Sequence, residues 1–171
     1  MKKVDEVYYA SVASPIGTIW VASDKTGVCL VSLGGTVQEF LKELSAAGFR
    51  HAQVDREFNR GVLTEIEAYF AGKVTSFSSP LHVHGRPFEI RVWQALQRIP
   101  LGETRSYEEI ACAIGNSRAC RAVGGANRKN PLPLLIPCHR VIRKDGGLGG
   151  FASGTKIKEW LLHFEQQVTR S

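Results

Sequence analysis

The chain has 171 residues, of which 43% are hydrophobic and 22% charged, so it can bury a core and is not an intrinsically disordered protein. It contains no run of about 18 apolar residues, and residues 1–6 lack the apolar stretch of a secretory signal. We therefore expect a soluble cytoplasmic protein without a membrane partner. The four cysteines follow no CxxC or paired spacing, which predicts neither a disulfide framework nor a zinc site.

The positive charge lies almost entirely in the second half of the chain. Residues 1–85 contain 8 Lys and Arg against 9 Asp and Glu, whereas residues 86–171 contain 14 against 7. A basic half of this kind indicates a polyanionic partner such as DNA, and the first half then serves as a neutral support. The alternative is a surface whose charge only favours solubility.

The first half predicts a small sheet packed with helices. Residues 7–33 are rich in β-branched and aromatic side chains and are interrupted by two turn signals, so we predict a three-stranded antiparallel sheet. Apolar residues then recur at helical spacing in residues 36–48 and again in residues 58–71. This order of elements predicts an α/β domain.

A Ser-, Pro- and Gly-bearing stretch, residues 73–87, separates the two halves. We place the domain boundary there, with one domain over 1–80 and a second over 81–171. His82 and His84 would share one face of a strand, but no third metal ligand accompanies them.

The second half predicts mostly helices, two of which form a helix-turn-helix. An apolar stripe indicates a helix over residues 88–99. Ser106 and Glu109 have the spacing of a capping box, which opens a short helix through Ile114. After a Gly-Asn turn, residues 117–129 predict a second, basic helix.

This basic helix contains two adjacent glycines, Gly124 and Gly125. Two glycines inside a helix cost about 2 kcal/mol relative to alanine, so they indicate close approach by another backbone. Small side chains flanked by arginines suit DNA binding with weak sequence preference. Close packing of another helix against the glycines is the alternative, and the two interpretations can hold on opposite faces.

A thiol and an imidazole stand side by side in the segment 136–142, which reads Ile-Pro-Cys-His-Arg-Val-Ile. Cysteine and histidine are side chains that titrate near neutral pH, so Cys138 and His139 are candidates for nucleophile and base. Taken alone, the pair also fits a buried structural cysteine beside a surface histidine.

Five segments in the second half resemble the O6-alkylguanine-DNA alkyltransferases, also called methylated-DNA–protein-cysteine methyltransferases. They follow one another in the family's order and at its spacing: residues 102–107, 121–126, 130–131, 137–142, and 158–162 with Glu165. The resemblance implies a ribonuclease-H-like α/β N-terminal domain and a mostly α C-terminal domain with a helix-turn-helix. The first half fits the family only in its order of strands and helices.

The resemblance implies direct reversal of DNA damage. The alkyl group on O6 of guanine, and also on O4 of thymine, moves from double-stranded DNA to Cys138, and the protein is consumed in a single turnover. A thiolate suits displacement at a saturated carbon because it is a soft nucleophile. The resemblance implies no cofactor, and it implies association with the nucleoid if the source is prokaryotic. We predict a metal-free monomer, and the sequence leaves cooperative binding along DNA open.

The resemblance also assigns the catalytic roles. Neighbouring side chains of an extended segment point apart, so a water would link Cys138 to His139, and Glu165 would fix the imidazole tautomer. Tyr107 would donate a proton to a ring nitrogen of the base, and Asn130 would tie the helix-turn-helix to the Cys138 turn.

DNA binding requires that the damaged nucleotide be rotated out of the duplex, and Arg121 matches the arginine that enters the vacated stack. The predicted DNA-binding residues are Arg121, Ala122, Gly124, Gly125, Ala126, Arg128, Ser106 and Thr104. The predicted substrate pocket consists of Val141, Phe151, Ala152 and Ser153. Phe151 stands where many relatives carry a tyrosine, so a hydroxyl contact is lost while an apolar wall remains.

Three other functions compete with alkyl transfer. A non-catalytic alkyltransferase-like lesion binder typically carries tryptophan at the cysteine position, which Cys138 argues against. A cysteine hydrolase would not need a basic helix-turn-helix. A transcription factor would need longer side chains on its recognition helix to read bases.

Overall fold

The computed structural model describes residues 6–171 and divides the chain into two compact units, one ending at Val83 and one beginning at His84. The prediction about a secretory signal concerns the start of the chain, and residues 1–5 lie outside the described part. No helix in residues 6–171 is both long and apolar enough to cross a membrane.

The first unit is a four-stranded sheet with two helices. Its elements are β1 Glu6–Ser14, β2 Gly17–Ser23, β3 Val28–Leu33, α1 Val37–Ala46, β4 His51–Val54 and α2 Arg60–Phe70. The strand order is β3-β2-β1-β4, with β1 antiparallel to β2, β2 antiparallel to β3, and β4 parallel to β1. The predicted antiparallel strands and both predicted helices are therefore confirmed.

The prediction of three strands missed the edge strand β4. This strand is four residues long, and three of its side chains are exposed, so it shows no apolar alternation that would reveal it in the sequence. Its backbone pairs with β1 from Glu6 opposite His51 to Tyr9 opposite Val54. The sheet of this unit is consequently mixed rather than purely antiparallel.

Apolar side chains of the sheet and of α1 form a core in the first unit. Phe40 and Leu44, four residues apart on α1, are buried in it together with Val7 of β1 and Ala22 of β2. Thr36 begins α1 with a capping box, in which its hydroxyl accepts from the Glu39 amide and Glu39 accepts from the Thr36 amide. Local capping and the apolar stripe thus agree on where this helix lies.

The second unit is mostly helical. Its elements are α3 Pro87–Leu96, β5 Arg105–Ser106, α4 Tyr107–Ala113, α5 Cys120–Arg128, a 3₁₀ helix Cys138–Arg140, β6 Val141–Ile142 and α6 Thr155–Arg170. The short strands β5 and β6 pair in parallel, which places Arg105 opposite Val141. This pairing joins the start of α4 to the end of the 3₁₀ helix.

The helix-turn-helix consists of α4 and α5. The predicted capping box is confirmed, because the Ser106 hydroxyl accepts from the Glu109 amide and the Glu109 carboxylate accepts from the Ser106 amide. Helix α5 begins at Cys120, three residues later than predicted, because Ala119 still belongs to a turn in which its amide donates to the Asn116 carbonyl. The pattern of short helix, turn and basic helix is otherwise as the sequence indicates.

Candidate active site

The segment that contains Cys138 is a tight turn and not an extended strand. Cys138–Arg140 forms a 3₁₀ helix, and the Cys138 amide donates to the Ile136 carbonyl at 2.7 Å. Our expectation of an extended Cys138-His139 segment is therefore wrong. The proline before the cysteine cannot donate a helical hydrogen bond, and the chain turns once before β6 begins.

Two asparagines hold this turn in place. Asn130 Nδ2 donates to the Ile136 carbonyl at 2.8 Å, and its Oδ1 accepts from the Leu132 amide at 2.9 Å. Asn127, on α5, donates from Nδ2 to the Cys138 carbonyl at 3.3 Å. The helix-turn-helix is thus tied directly to the cysteine, and sequence reasoning had assigned that task to Asn130 alone.

Cys138 lines a cavity of about 630 Å³, although only 4% of the residue is exposed. The other lining residues are Tyr107, Cys120, Arg121, Gly124, Gly125, Asn127, Arg128, Asn130, Pro133, Arg143, Gly149, Gly150, Phe151, Ala152 and Ser153. Burial raises the pKa of the Cys138 thiol to about 11, against the opposing effects of a hydrogen bond with Asn130 and the charge of Lys158. At neutral pH the resting side chain is a thiol, so a reaction must remove its proton.

His139 and Glu165 are fully buried and hydrogen bonded to each other. His139 Nε2 lies 2.7 Å from Glu165 Oε1. Burial lowers the pKa of His139, and the charges of Arg140 and Lys158 reinforce this against the raising effect of Glu165. His139 is therefore neutral at neutral pH, with its Nε2 proton donated to the carboxylate.

The other imidazole nitrogen of His139, Nδ1, is buried without a hydrogen-bond partner among residues 6–171. With the proton on Nε2, this nitrogen carries a lone pair and can accept a proton. The structure thus gives the residue next to Cys138 the property that a general base requires.

Arg140 completes the network from the other side of the carboxylate. Its Nε donates to Glu165 Oε2 and its Nη2 to Glu165 Oε1, both at 2.9 Å. Burial alone would raise the pKa of Glu165, but the hydrogen bonds and charges of His139 and Arg140 outweigh it and hold that pKa well below its usual range. Glu165 is consequently ionised at any pH near neutrality.

Tyr107 is the first residue of α4 and lines the cavity. Burial raises the pKa of its phenol, the charge of a Cys138 thiolate would add to this, and Arg128 opposes it. The phenol is therefore protonated and can donate. A Cβ atom at Gly149, whose φ is +72°, would lie 2.7 Å from the Tyr107 hydroxyl oxygen, so a larger residue there would be strained and would displace the Tyr107 ring.

The face of α5 that carries the glycines is open. A Cβ at Gly125 would meet nothing within 4 Å among the described residues, and one at Gly124 would meet only the Tyr107 ring, at 3.8 Å. Close packing of another helix is therefore not the reason for these glycines. Arg121, Ala122 and Arg128 are exposed on the same helix.

Two predicted residues, Ala126 and Val141, lie elsewhere than expected. Ala126 is 3% exposed and its carbonyl accepts from the Trp93 indole at 2.9 Å, so its side chain faces the interior and not a DNA surface. Val141 is fully buried, does not line the cavity and has its carbonyl bound to Lys158 at 2.6 Å. Thr104 and Ser106, which were predicted to bind DNA, are partly exposed and line a second cavity of about 300 Å³.

Sequence reasoning missed Arg140 and Lys158. Lys158 is fully buried, and burial lowers its pKa to about 8, while its ammonium group binds the carbonyls of Val141 and Gly150. A signal was present: Lys158, Leu161 and Glu165 fall at i, i+3 and i+7 on α6, so two charged residues share the apolar stripe of a helix. Arg140 stood inside the recognised motif but had no partner that spacing could identify.

Comparison with known proteins places both units in one family. Residues 7–83 match the family described as 6-O-methylguanine DNA methyltransferase, ribonuclease-like domain, and residues 87–167 match its DNA binding domain. A methylated-DNA–protein-cysteine methyltransferase of Methanosarcina acetivorans is 46% identical over 93% of this chain and 98% of its own length. The constitutive methylated-DNA–protein-cysteine methyltransferase of Bacillus subtilis is 40% identical over 93% of the chain and 95% of its length.

Similar solved structures support the same family assignment. The crystal structure of Mycobacterium tuberculosis OGT in complex with DNA superposes with a TM-score of 0.83 at 38% identity, and the match covers 94% of each chain. The resemblance drawn from the five segments is thereby confirmed, as is the fold class of a ribonuclease-like domain followed by a helical DNA-binding domain. The chain belongs to the 6-O-methylguanine DNA methyltransferase family, a family of DNA repair enzymes.

Proposed function

We propose that this protein repairs double-stranded DNA by moving the alkyl group from O6 of guanine, and from O4 of thymine, to Cys138 in one irreversible turnover. The observation that carries the proposal is a cysteine that opens onto a cavity beside a buried histidine with an unpartnered Nδ1. Relatives that cover nearly the whole chain are named methylated-DNA–protein-cysteine methyltransferases. The protein acts as a monomer and without a cofactor.

The thiol proton leaves first. Because its pKa is about 11, Cys138 needs a base, and His139 Nδ1 takes the proton through a bridging water. Glu165 stabilises the imidazolium that forms, since its carboxylate lies 2.7 Å from Nε2. Buried surroundings keep the resulting thiolate poorly solvated and hence reactive.

The thiolate then attacks the alkyl carbon, a sulfur–carbon bond forms, and the bond from that carbon to the guanine oxygen breaks. The leaving guanine would be an anion, and Tyr107 protonates it at a ring nitrogen. The imidazolium of His139 returns its proton to the tyrosinate through solvent. The products are an S-alkylcysteine and a normal guanine, with atoms and charge balanced.

The nucleotide must leave the duplex to reach the cavity. Arg121 and Arg128 lie at the cavity together with Gly124 and Gly125, so α5 can approach the DNA backbone while Arg121 fills the vacated stack. The apolar ring of Phe151 forms part of the pocket wall without offering a hydroxyl group.

The test is to incubate the protein with duplex DNA that contains O6-methylguanine and to measure its mass. We expect a gain of one methyl group, located on Cys138 by peptide mapping and absent in Cys138→Ser. Tight binding to the lesion with unchanged mass would instead identify a lesion binder, and repeated turnover on an ester or amide would identify a hydrolase.

A further inference from the structure

Arg140 is a buried charged residue that takes no part in the proposed reaction steps. It is 5% exposed, and all of its hydrogen bonds in the described chain are to buried acceptors. Its Nη1 donates to the Ile99 carbonyl at 2.6 Å, which fixes the plane of the guanidinium. Its Nε and Nη2 then meet both oxygens of Glu165 as a fork.

Glu165 therefore lies between two groups that can carry positive charge. Its Oε1 accepts from His139 and Arg140, and its Oε2 accepts from Arg140 and, at 3.3 Å, from the Gly102 amide. A buried carboxylate that faces only a histidine would favour the imidazolium form. A carboxylate already neutralised by an arginine exerts less of that pull.

We propose that Arg140 is a positioning residue that neutralises Glu165 so that His139 rests uncharged, with its proton on Nε2 and a lone pair on the buried, unpartnered Nδ1. This inference rests on the proposed function, because it assumes that His139 is the base for Cys138. Without Arg140 the Glu165 carboxylate would favour the imidazolium more strongly, and an imidazolium has no lone pair to accept the thiol proton.

The other charged groups around His139 act in the same direction or do not reach it as closely. Lys158, on α6 with Glu165, also disfavours a charged imidazole, and Cys138 is a neutral thiol in the resting state. Arg140 is the cation that touches the same carboxylate as His139. An arginine suits this place because its planar fork can satisfy both carboxylate oxygens at once, which a lysine cannot.

The experiment measures alkyl transfer from free O6-methylguanine base to the full chain as a function of pH, so that DNA binding plays no part. The variants are Arg140→Gln, which removes the charge, and Arg140→Lys, which keeps it. The matched control is Arg98→Gln, an exposed arginine outside the site. Circular dichroism and thermal unfolding of each variant accompany the rates.

We expect the rate of the wild-type protein to fall only below the ordinary histidine pKa of about 6.5, because the rate requires a neutral His139. We call this fall in rate toward low pH the acid limb of the pH–rate profile. In Arg140→Gln the acid limb moves up by about one pH unit, so at pH values below the limbs of both proteins the variant is about tenfold slower than wild type. In Arg140→Lys the limb stays near the wild-type position, and Arg98→Gln behaves as wild type. A Gln variant that is folded and loses rate equally at every pH overturns the inference, since a merely structural role predicts that.

A second measurement does not depend on any variant of Arg140. Nitrogen NMR of the wild-type protein, with the His139 signals assigned from the spectrum of His139→Gln, reports the protonation state of the ring. We expect a neutral ring protonated on Nε2 from pH 8 to below 6.5, and an imidazolium at pH 7 overturns the inference. If wild-type protein gains no methyl group on Cys138, the proposed function itself has failed, whereas normal transfer with an unshifted acid limb in Arg140→Gln removes only the task of Arg140.

Discussion

The two units each bury one cysteine, and the surroundings of the two thiols differ. Cys29, on β3, lies in the core of the first unit, and its thiol donates to the Ala22 carbonyl at 3.3 Å. Burial raises its pKa to about 12, with a further contribution from the charge of Asp24. Burial also raises the pKa of Cys138, to about 11. A raised thiol pKa therefore does not distinguish a structural cysteine from a nucleophile.

What distinguishes Cys138 is its position at a cavity and next to a buried imidazole in the chain. The Cys29 side chain is surrounded by apolar residues of the sheet and α1, whereas Cys138 faces a cavity of about 630 Å³ and has a buried imidazole as its neighbour. Under the proposed function, the usual expectation that a buried cysteine is inert holds for Cys29 and not for Cys138. For the proposed reaction, the reactivity of a buried thiol therefore depends on a route for its proton and for the substrate.

Replacing each of the two buried cysteines by alanine should affect alkyl transfer very differently. Cys138→Ala should abolish the mass gain from methylated DNA completely, because in the proposed reaction the alkyl group moves to the Cys138 sulfur. Cys29→Ala should leave the gain intact, because its thiol has no access to substrate. Intact-mass measurement decides both, and a mass gain that survives in Cys138→Ala would refute the assignment of the nucleophile.

Replacing the proposed base, His139, should make the Cys138 thiol less reactive and so more like the Cys29 thiol. We expect His139→Gln to lower the single-turnover rate by about 10² to 10⁴, the usual contribution of general base catalysis. The pH profile should also change. The wild-type rate should be flat from pH 8 down to below 6.5, whereas the variant rate should rise with pH, because the thiolate fraction grows toward the thiol pKa of about 11.

The matched control for this variant is His163→Gln. His163 lies on α6 two residues before Glu165 but is exposed, so its replacement should change neither the rate nor its pH dependence. A pH profile of His139→Gln with the wild-type shape would show that the proton leaves Cys138 by another route.

The proposed role of Arg121, which is to fill the place of the nucleotide that leaves the duplex, can be tested by replacing this residue. Arg121→Ala should slow repair of duplex DNA about tenfold to a hundredfold, since stacking on a base is worth about 1–3 kcal/mol. Reaction with the free methylated base should stay close to wild type, because that substrate needs no rotation out of a duplex. Arg118→Ala removes the same charge just before α5, outside the cavity, and should have a smaller effect that disappears at high salt. Equal losses of Arg121→Ala on both substrates would assign the residue a structural role only.

The sequence predicted the helices that show apolar periodicity or a capping box. Apolar periodicity located α1 and α2, and the Ser106 capping box located the start of α4. The short strand β4 escaped because four mostly exposed residues carry no pattern. Bounds were least accurate where a turn precedes a helix, as before Cys120.

For the site, the family motif identified the residues that the structure brings together, namely Cys138, His139 and Glu165. It did not indicate the 3₁₀ turn, because three residues give no periodicity and the apolar run after them reads as a strand. Nor did it reveal the partners of Arg140, which come from residues 25 and 41 positions away in the chain. Contacts that distant depend on tertiary packing, which local sequence does not specify.

The smallest expected effect concerns the loop that closes the cavity wall at Tyr107. Gly146 and Gly149 both have positive φ, +85° and +72°, so alanine at either position should lower the free energy of unfolding by about 1–2 kcal/mol. Only the Cβ at position 149 would collide with the Tyr107 hydroxyl, while that at 146 meets nothing within 4 Å among the described residues. Gly149→Ala should therefore also slow alkyl transfer, on the order of tenfold, by displacing the proton donor. Chemical denaturation and single-turnover rates measured on both variants separate the two effects. If Gly146→Ala slows transfer as much as Gly149→Ala, the loss comes from loop strain and the position of the Tyr107 phenol is not critical.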